Sequence, residues 1–158
     1  MCYENLVDSK EPLAYNKIEK YRKMNTILTA KGDKPMTNKE LVLKVYDEVF
    51  NKWDLSNLDE YMRDDYMQHN PTVEDGKEGF KKFCEKFLAG KPHMEIKKIF
   101  ENENNEVCVF FKCTMGVNGS VNKVADIYRI QDGKLAEHWD ILQGNIDESN
   151  TANGRGQF

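Results

Sequence analysis

The hydrophobic residues of this chain recur with two different periods. Between residues 37 and 90 they return every three or four positions, which is typical of amphipathic helices. Between residues 92 and 143 hydrophobic and polar residues alternate, as they do in strands that have one buried face. The pattern therefore predicts helices in the first part of a domain and a sheet in the second part.

Three helices are predicted in the first part. The first begins after Thr37, which forms a capping box with the glutamate three residues later. A second, short helix begins near Asp54, and a third follows the turn at Gly76. Between the last two helices, residues 66–71 are predicted to be extended, because Asn70 precedes a proline and is pushed towards β geometry.

The alternating part predicts an antiparallel meander of four strands. They cover residues 94–100, 106–115, 121–130 and 135–143. An Asp-Gly pair at residues 132–133 favours a tight hairpin between the last two. Helices followed by such a meander predict an α+β domain over residues 37–145, with a hollow between the helices and a curved sheet.

The two ends of the chain differ from this domain. Residues 1–36 are predicted to be an N-terminal extension that is partly helical, with helical spacing over residues 16–28. Residues 146–158 are polar and rich in Gly and Asn, and we expect a flexible C-terminal tail.

Charge and cysteine usage narrow the class of protein. The 158 residues carry a formal charge of −4 without a basic block, so we expect neither nucleic acid nor an anionic membrane as a partner. No apolar run approaches the roughly 18 residues of a membrane span, and the first ten residues do not resemble a signal peptide. The four cysteines lack zinc-site and Cys-x-x-Cys spacing, which favours a reduced, cytoplasmic protein.

Polar residues interrupt the last two strands at positions where a core is expected. Asp126 shares one strand face with Tyr128, and His138 shares one face of the next strand with Asp140. If these faces point inward, two carboxylates and an imidazole meet in an apolar hollow, which suits proton transfer near neutral pH. The alternative is that Asp126 and His138 form a cross-strand pair exposed to water, and the period alone does not decide between them.

A third polar cluster lies in the extended segment 68–71, Gln-His-Asn-Pro. His69 and Asn70 point to opposite sides, so only one of them can face a given cavity; the alternative is a hydrogen-bonded loop end. His69, His138 and the two aspartates are possible metal ligands, but their spacing fits no metal signature, so we expect no metal. There is no Gly-x-Ser-x-Gly nucleophile motif and no Gly-rich phosphate loop.

Taken together, these segments resemble a known family, the SnoaL-like polyketide cyclases of the nuclear transport factor 2-like superfamily. The resemblance covers about residues 37–145. It is carried by Tyr-Met-Gln-His-Asn-Pro at 66–71, Gly76, Asp-Ile-Tyr-Arg-Ile at 126–130, Gly-Lys-Leu-Ala-Glu-His-Trp-Asp at 133–140 and Gln143.

The resemblance implies a cone-shaped α+β barrel with an apolar pocket at its open end, and a homodimer formed through the outer face of the sheet. Asp126 looks like the acid/base aspartate of these cyclases, which implies that Tyr128, His138 and Asp140 also face inward. Asn70 falls nearest the general-base aspartate of the related ketosteroid isomerases. Since an amide cannot abstract a proton, His69 or His138 would have to be the base.

The expected function is therefore a cofactor-free acid/base enzyme of the aldol cyclase, isomerase or hydratase type, acting on a small apolar carbonyl compound. His138 or Asp126 would remove a proton and the other would stabilise the enolate oxygen, while Asp140 orients His138 and His69 positions the substrate. Further substrate-binding candidates are Asn70, Tyr128, Tyr66 and Trp53. The alternative is a non-catalytic small-molecule-binding or dimerisation module with the same fold.

Overall fold

The computed structural model describes residues 35–158, and the helix predicted within residues 16–28 lies outside them. The three helices predicted for the first part of the domain are present. Helix α1 covers Asn38–Val45 and continues as a π-helix over Tyr46–Asn51, α2 covers Leu58–Tyr61, and α3 covers Gly76–Leu88. In the described residues, no helix combines the length and the apolar character that a membrane span requires.

Five strands form one sheet. They are β1 (Met62–Gln68), β2 (Pro92–Glu101), β3 (Glu106–Met115), β4 (Val121–Gln131) and β5 (Lys134–Gln143). Their order in space is β1-β5-β4-β3-β2, with β1 parallel to β5 and every other pair antiparallel. The predicted α+β architecture is confirmed, although β1 begins earlier than the predicted segment 66–71, directly after α2.

Helix α1 begins at the predicted capping box. The Thr37 N–H donates to Glu40 Oε2 at 2.7 Å, and the Glu40 N–H donates to Thr37 Oγ1 at 3.3 Å. The apolar stripe of this helix and of its π-helical continuation is buried against the sheet: Leu41, Val42, Val45, Tyr46, Val49 and Phe50.

The burial of side chains in β4 shows which face of the sheet points inward. Asp126 and Tyr128 are buried, whereas Ile127 between them is 36% exposed on the outer face. In β5, His138 is buried and Ile141 is 75% exposed. Asp126 and Tyr128 on β4 and His138 on β5 therefore point inward, as the resemblance implies. The homodimer through the outer face of the sheet stays a prediction.

The C-terminal tail lies along the outer face of the sheet. The ring of Phe158 is 6.4 Å from that of Phe110 on β3. The ammonium groups of Lys97, Lys112 and Lys123 lie 6.0, 5.5 and 5.6 Å from the Phe158 ring centroid. The lysine contacts are cation–π interactions and place Phe158 over β2, β3 and β4. The flexibility expected of residues 146–158 stays a prediction.

The β4–β5 hairpin carries most of the polar residues singled out above, and its turn needs glycine. Gly133 has a φ of 74°, and an added methyl group would meet no atom within 4 Å. We therefore expect Gly133→Ala to lower the free energy of unfolding by about 1 kcal/mol through backbone strain alone. Gly156→Ala is the control, because that site is equally open without a positive φ. Urea unfolding of both variants tests this, and equal stabilities would contradict it.

Candidate active site

A cavity of about 290 Å³ lies between the helices and the inner face of the sheet. One wall is apolar and is built by Phe50, Phe80, Phe83, Phe87, Met94 and Phe111. The opposite wall is polar and includes Gln68, Asn70, Asp126, Tyr128, His138 and Asp140. A mostly apolar concavity with a few convergent polar groups is the usual form of a small-molecule site.

The apolar wall owes its shape to helix α3. Phe80, Phe83 and Phe87 are spaced three and four residues apart, which places them on one side of the helix. The rings of Phe83 and Phe87 stack at 5.2 Å, and Phe50 meets Phe80 and Phe87 edge to face at 6.1 and 6.2 Å. These contacts hold the rings in place and present an aromatic surface to a ligand.

Asp126 is the most deeply placed acid of the polar wall, with 7% of its surface exposed. Its Oδ2 atom accepts hydrogen bonds from the Tyr46 hydroxyl and, at 3.1 Å, from the Tyr128 hydroxyl. Burial, and next the negative charge of Asp126, raises the pKa of Tyr46 and of Tyr128 well above the usual 10. Both hydroxyls therefore keep their protons and act as donors to the carboxylate.

His138 faces Asp126 with a defined ring nitrogen. Its Nδ1 atom lies 2.8 Å from Gln68 Oε1, and the same oxygen accepts the Asn70 backbone N–H at 3.0 Å. Since a backbone N–H can only donate, the Gln68 atom between them is the acceptor oxygen, and Nδ1 must carry the hydrogen. The other nitrogen, Nε2, then points its lone pair towards Asp126 Oδ1, 3.5 Å away.

Nε2 of His138 and Oδ1 of Asp126 face each other across 3.5 Å. Oδ2 of Asp126 is occupied by the two tyrosines, and Nε2 of His138 has no hydrogen-bond partner among the described residues. Either atom is chemically able to accept a proton, Nε2 through its lone pair and Oδ1 as a carboxylate oxygen. Such a pair can take a proton from a bound molecule and return it.

Asp140 reaches the same cavity but contacts a different partner. Its Oδ2 atom accepts a hydrogen bond from Asn70 Nδ2 at 2.8 Å, and Asn70 Oδ1 accepts from the Thr72 hydroxyl at 2.7 Å. We expected Asp140 to orient His138. The structure instead joins the His138 ring to Gln68, so Gln68 performs the orientation.

His69 does not reach the cavity. Its Nε2 atom lies 2.8 Å from Glu137 Oε1, and its ring stacks on Trp139 at 4.7 Å, on the outer face of the sheet. Strand alternation explains the position, because Gln68 and Asn70 on either side of it face inward. The expectation that His69 positions a substrate beside Asp126 is corrected by this placement.

Two of the four proposed substrate-binding residues are not among the residues that line the cavity. Trp53 is 46% exposed, and its indole N–H donates to the Pro92 carbonyl at 3.0 Å. Tyr66 is buried in the core, with its ring edge-on to Phe80 at 6.0 Å. Asn70 and Tyr128, in contrast, are part of the polar wall.

Two residues of the site were missed by the sequence analysis, Tyr46 and Gln68. Tyr46 belongs to the apolar stripe of α1 and its π-helical continuation, where it looks like an ordinary core residue. A hydroxyl in an otherwise apolar stripe was the signal that could have pointed to a polar partner. Gln68 lies two residues before Asn70, and this spacing places both on one face of an extended segment. Alternation alone could therefore have grouped Gln68 with the cavity.

The described residues offer little to a metal or a thiol mechanism. No group of three His, Cys, Asp or Glu in residues 35–158 is arranged to hold a metal ion. Burial raises the pKa of the Cys84 thiol to about 12 and that of Cys113 to about 11, so neither is a reactive thiolate at neutral pH.

The helices, the curved mixed sheet and the cavity between them define a protein of the nuclear transport factor 2-like fold. The family model of the SnoaL-like polyketide cyclases matches residues 40–145. The chain belongs to this family. No curated protein matches it.

Solved structures share the fold at low identity. An NTF2-like protein from Cytophaga hutchinsonii has a TM-score of 0.60 and 20% identity, with coverage of 70% of this chain and 94% of that chain. A SnoaL-like polyketide cyclase from Agrobacterium tumefaciens has a TM-score of 0.57 and 18% identity, with coverage of 68% and 92%. IdmH from Streptomyces antibioticus has a TM-score of 0.57 and 22% identity, with coverage of 66% and 91%.

The buried tyrosines predict a specific alkaline behaviour. The pKa values of Tyr46, Tyr66 and Tyr128 are raised in the folded chain, so the unfolded chain releases these protons first. The resulting stability is fully present below about pH 10 and is lost as the pH rises further. An absorbance titration at alkaline pH, followed together with circular dichroism, should show these tyrosines ionising only as the fold is lost. Ionisation of every tyrosine near pH 10 in a folded chain would contradict this.

The Gln68 contact predicts the tautomer of His138. Nitrogen-15 NMR at about pH 9, where an ordinary imidazole is neutral, should show His138 protonated on Nδ1. Gln68→Leu removes the acceptor, so the Nδ1–H signature should weaken, while that of the exposed His93 stays unchanged. Gln143→Leu, at an exposed position, is the control. An Nε2–H tautomer in the native chain would refute the assignment.

Proposed function

We propose that this chain is a cofactor-free acid/base enzyme of the aldol cyclase, isomerase or hydratase type, acting on a small apolar carbonyl compound in the cavity. The observation that carries the proposal is the pair formed by His138 Nε2 and Asp126 Oδ1, 3.5 Å apart in the polar wall of an aromatic cavity. The family supports it, because a polyketide cyclase joins carbon atoms next to carbonyl groups.

His138 is the base in this proposal. The Nδ1–H hydrogen bond to Gln68 leaves the lone pair on Nε2, the nitrogen that faces Asp126. Nε2 takes the acidic proton from the carbon next to the substrate carbonyl, and the electron pair of that C–H bond becomes the enolate. The imidazolium that forms keeps its hydrogen bond from Nδ1–H to Gln68 Oε1.

Asp126 is the acid of the pair. In this proposal Oδ1 carries a proton, and Asp126 donates a hydrogen bond to the substrate carbonyl oxygen and stabilises the enolate as it forms. The hydroxyls of Tyr46 and Tyr128 hold Oδ2, so that Oδ1 keeps its direction towards the cavity. An aldol step would end when the Nε2 proton is returned to the alkoxide made at a second carbonyl.

One observation favours a non-catalytic alternative. Asp126 Oδ2 is satisfied by two hydroxyls and Gln68 by its contacts with His138 and Asn70, which is also how purely structural polar groups are buried. A module of this kind would hold the same small molecule without proton transfer. The two functions therefore differ in one measurable step.

That step is exchange of acidic C–H protons with solvent. The probe is 2-tetralone, a small bicyclic ketone, dissolved in D2O and followed by proton NMR. We expect the chain to accelerate loss of its α-proton signal. His138→Gln and Asp126→Asn should each lower this rate about 100-fold or more, because general acid–base groups contribute that much.

The control is His93→Gln, since His93 is exposed on β2 away from the cavity. The His93→Gln variant should accelerate loss of the α-proton signal of 2-tetralone as much as the native chain does. Two results would count against an enzyme: no acceleration by the native chain while 2-tetralone binds, or a folded His138→Gln variant that exchanges at the native rate. Either result favours the binding module.

A further inference from the structure

The charged side chains of the cavity are almost all acidic. In the described part of the chain, its lining includes Asp126, Asp140 and the imidazole of His138, but no lysine and no arginine. The basic groups on the neighbouring strands are directed elsewhere: Arg129 pairs with Glu137 and Lys112 with Glu148. A ligand that carries a negative charge therefore meets the acidic side chain of Asp140 with no lysine or arginine among these lining residues to offset it.

The two carboxylates are placed directly opposite each other. Asp126 on β4 and Asp140 on β5 are cross-strand partners, an arrangement that is unfavourable for like charges. Asp126 accepts hydrogen bonds from two tyrosine hydroxyls and lies 3.5 Å from His138 Nε2. Within residues 35–158, the only hydrogen bond to Asp140 comes from the Asn70 amide. Asp140 is also less buried than Asp126, so its charge is the one that an entering ligand meets with least compensation.

The remaining polar groups of the lining are uncharged. They are the amides of Gln68, Asn70 and Asn122 and the hydroxyls of Thr72 and Tyr128. Such groups can hydrogen-bond a ketone, ester or hydroxyl oxygen but cannot neutralise a carboxylate or a phosphate. The volume of about 290 Å³ is at the small end of ligand pockets, and the opposite wall is aromatic.

We propose that the cavity selects uncharged, largely planar carbonyl compounds of about one or two rings and excludes carboxylic acids and phosphates, with Asp140 as the residue that sets this selectivity. The proposal rests on the proposed function, since it names the substrate class of the same site. In this view the substrate enters as a ketone or an ester rather than as a free acid.

The test compares three ligands of the same ring system and different charge: 2-acetylnaphthalene, 2-naphthoate and 2-naphthylmethylammonium. Binding to the full chain is measured by calorimetry at neutral pH. We expect the ketone to bind at least ten times more tightly than the acid, and the amine to bind more tightly than the acid. Asp140→Asn should narrow the difference between ketone and acid at least threefold. The new amide oxygen can still accept the hydrogen bond from Asn70, so the fold should be kept.

Asp132→Asn is the matched control. It removes one negative charge from the β4–β5 hairpin, away from the cavity, and should leave the ketone-to-acid ratio unchanged. The proposal is overturned if the acid binds as tightly as the ketone, if acid and amine are excluded equally, or if Asp140→Asn behaves like the control. Failure of all three ligands to bind overturns it too, because the cavity would then not admit such compounds.

These outcomes separate the proposal from the proposed function. Ligand ratios of the expected kind without proton exchange would leave a charge-selective binding module. Proton exchange together with equal binding of ketone and acid would leave an enzyme whose cavity does not select by charge.

Discussion

A carboxylate that is buried among aromatic rings needs hydrogen-bond donors or an opposite charge directly beside it. Asp126 is in this position, and several elements of the domain have to supply its partners. An unpaired charge in such a place would cost several kcal/mol, a large share of the stability of a domain this size. The compensation comes from separate elements: Tyr46 on the π-helical stretch after α1, Tyr128 on β4 and His138 on β5. The hydrogen bond between Tyr46 and Asp126 therefore connects the helical layer to the sheet beside the cavity.

A second constraint is the parallel pairing of β1 with β5. Gln68 is the register partner of His138, and the His69 N–H donates to the His138 carbonyl at 3.0 Å. This backbone bond brings the end of β1 beside the imidazole, and strand alternation then turns Gln68 and Asn70 inward. The tautomer of His138 is thus a consequence of strand register as much as of side-chain chemistry.

The helices and strands of the fold were accessible from the sequence for a physical reason. They depend on local periods, 3.6 residues in a helix and 2 in a strand, and the amino acids report these periods directly. The inner face of the hairpin does not follow from a period, and only the family resemblance implied it. The partners in the site depend on contacts between distant residues, such as Tyr46 with Asp126 and Gln68 with His138. A period places Tyr46 on a buried face but cannot say what its hydroxyl meets there.

The same limit explains the misplacement of His69. Alternation correctly predicted that only one of His69 and Asn70 faces the cavity, but it does not say which of the two. The direction comes from Glu137 and Trp139, which provide an acceptor and a stacking partner on the outer side. Trp53 is a similar case, since its indole N–H is held by the Pro92 carbonyl outside the cavity wall.

The two walls of the cavity differ in how freely they can change. In the polar wall the side chains are hydrogen-bonded to one another. Replacing Gln68 or Tyr46 therefore changes the hydrogen bonding of His138 or Asp126 as well as the shape of the wall. The aromatic wall takes no part in those hydrogen bonds, because the side chains of Phe80, Phe83 and Phe87 carry no donor or acceptor. Size and shape of the ligand can therefore be altered along α3 without disturbing the pair of His138 and Asp126. A fold arranged in this way can keep its polar contacts while the aromatic side chains change, which is a physical reason why low identity is compatible with a shared architecture.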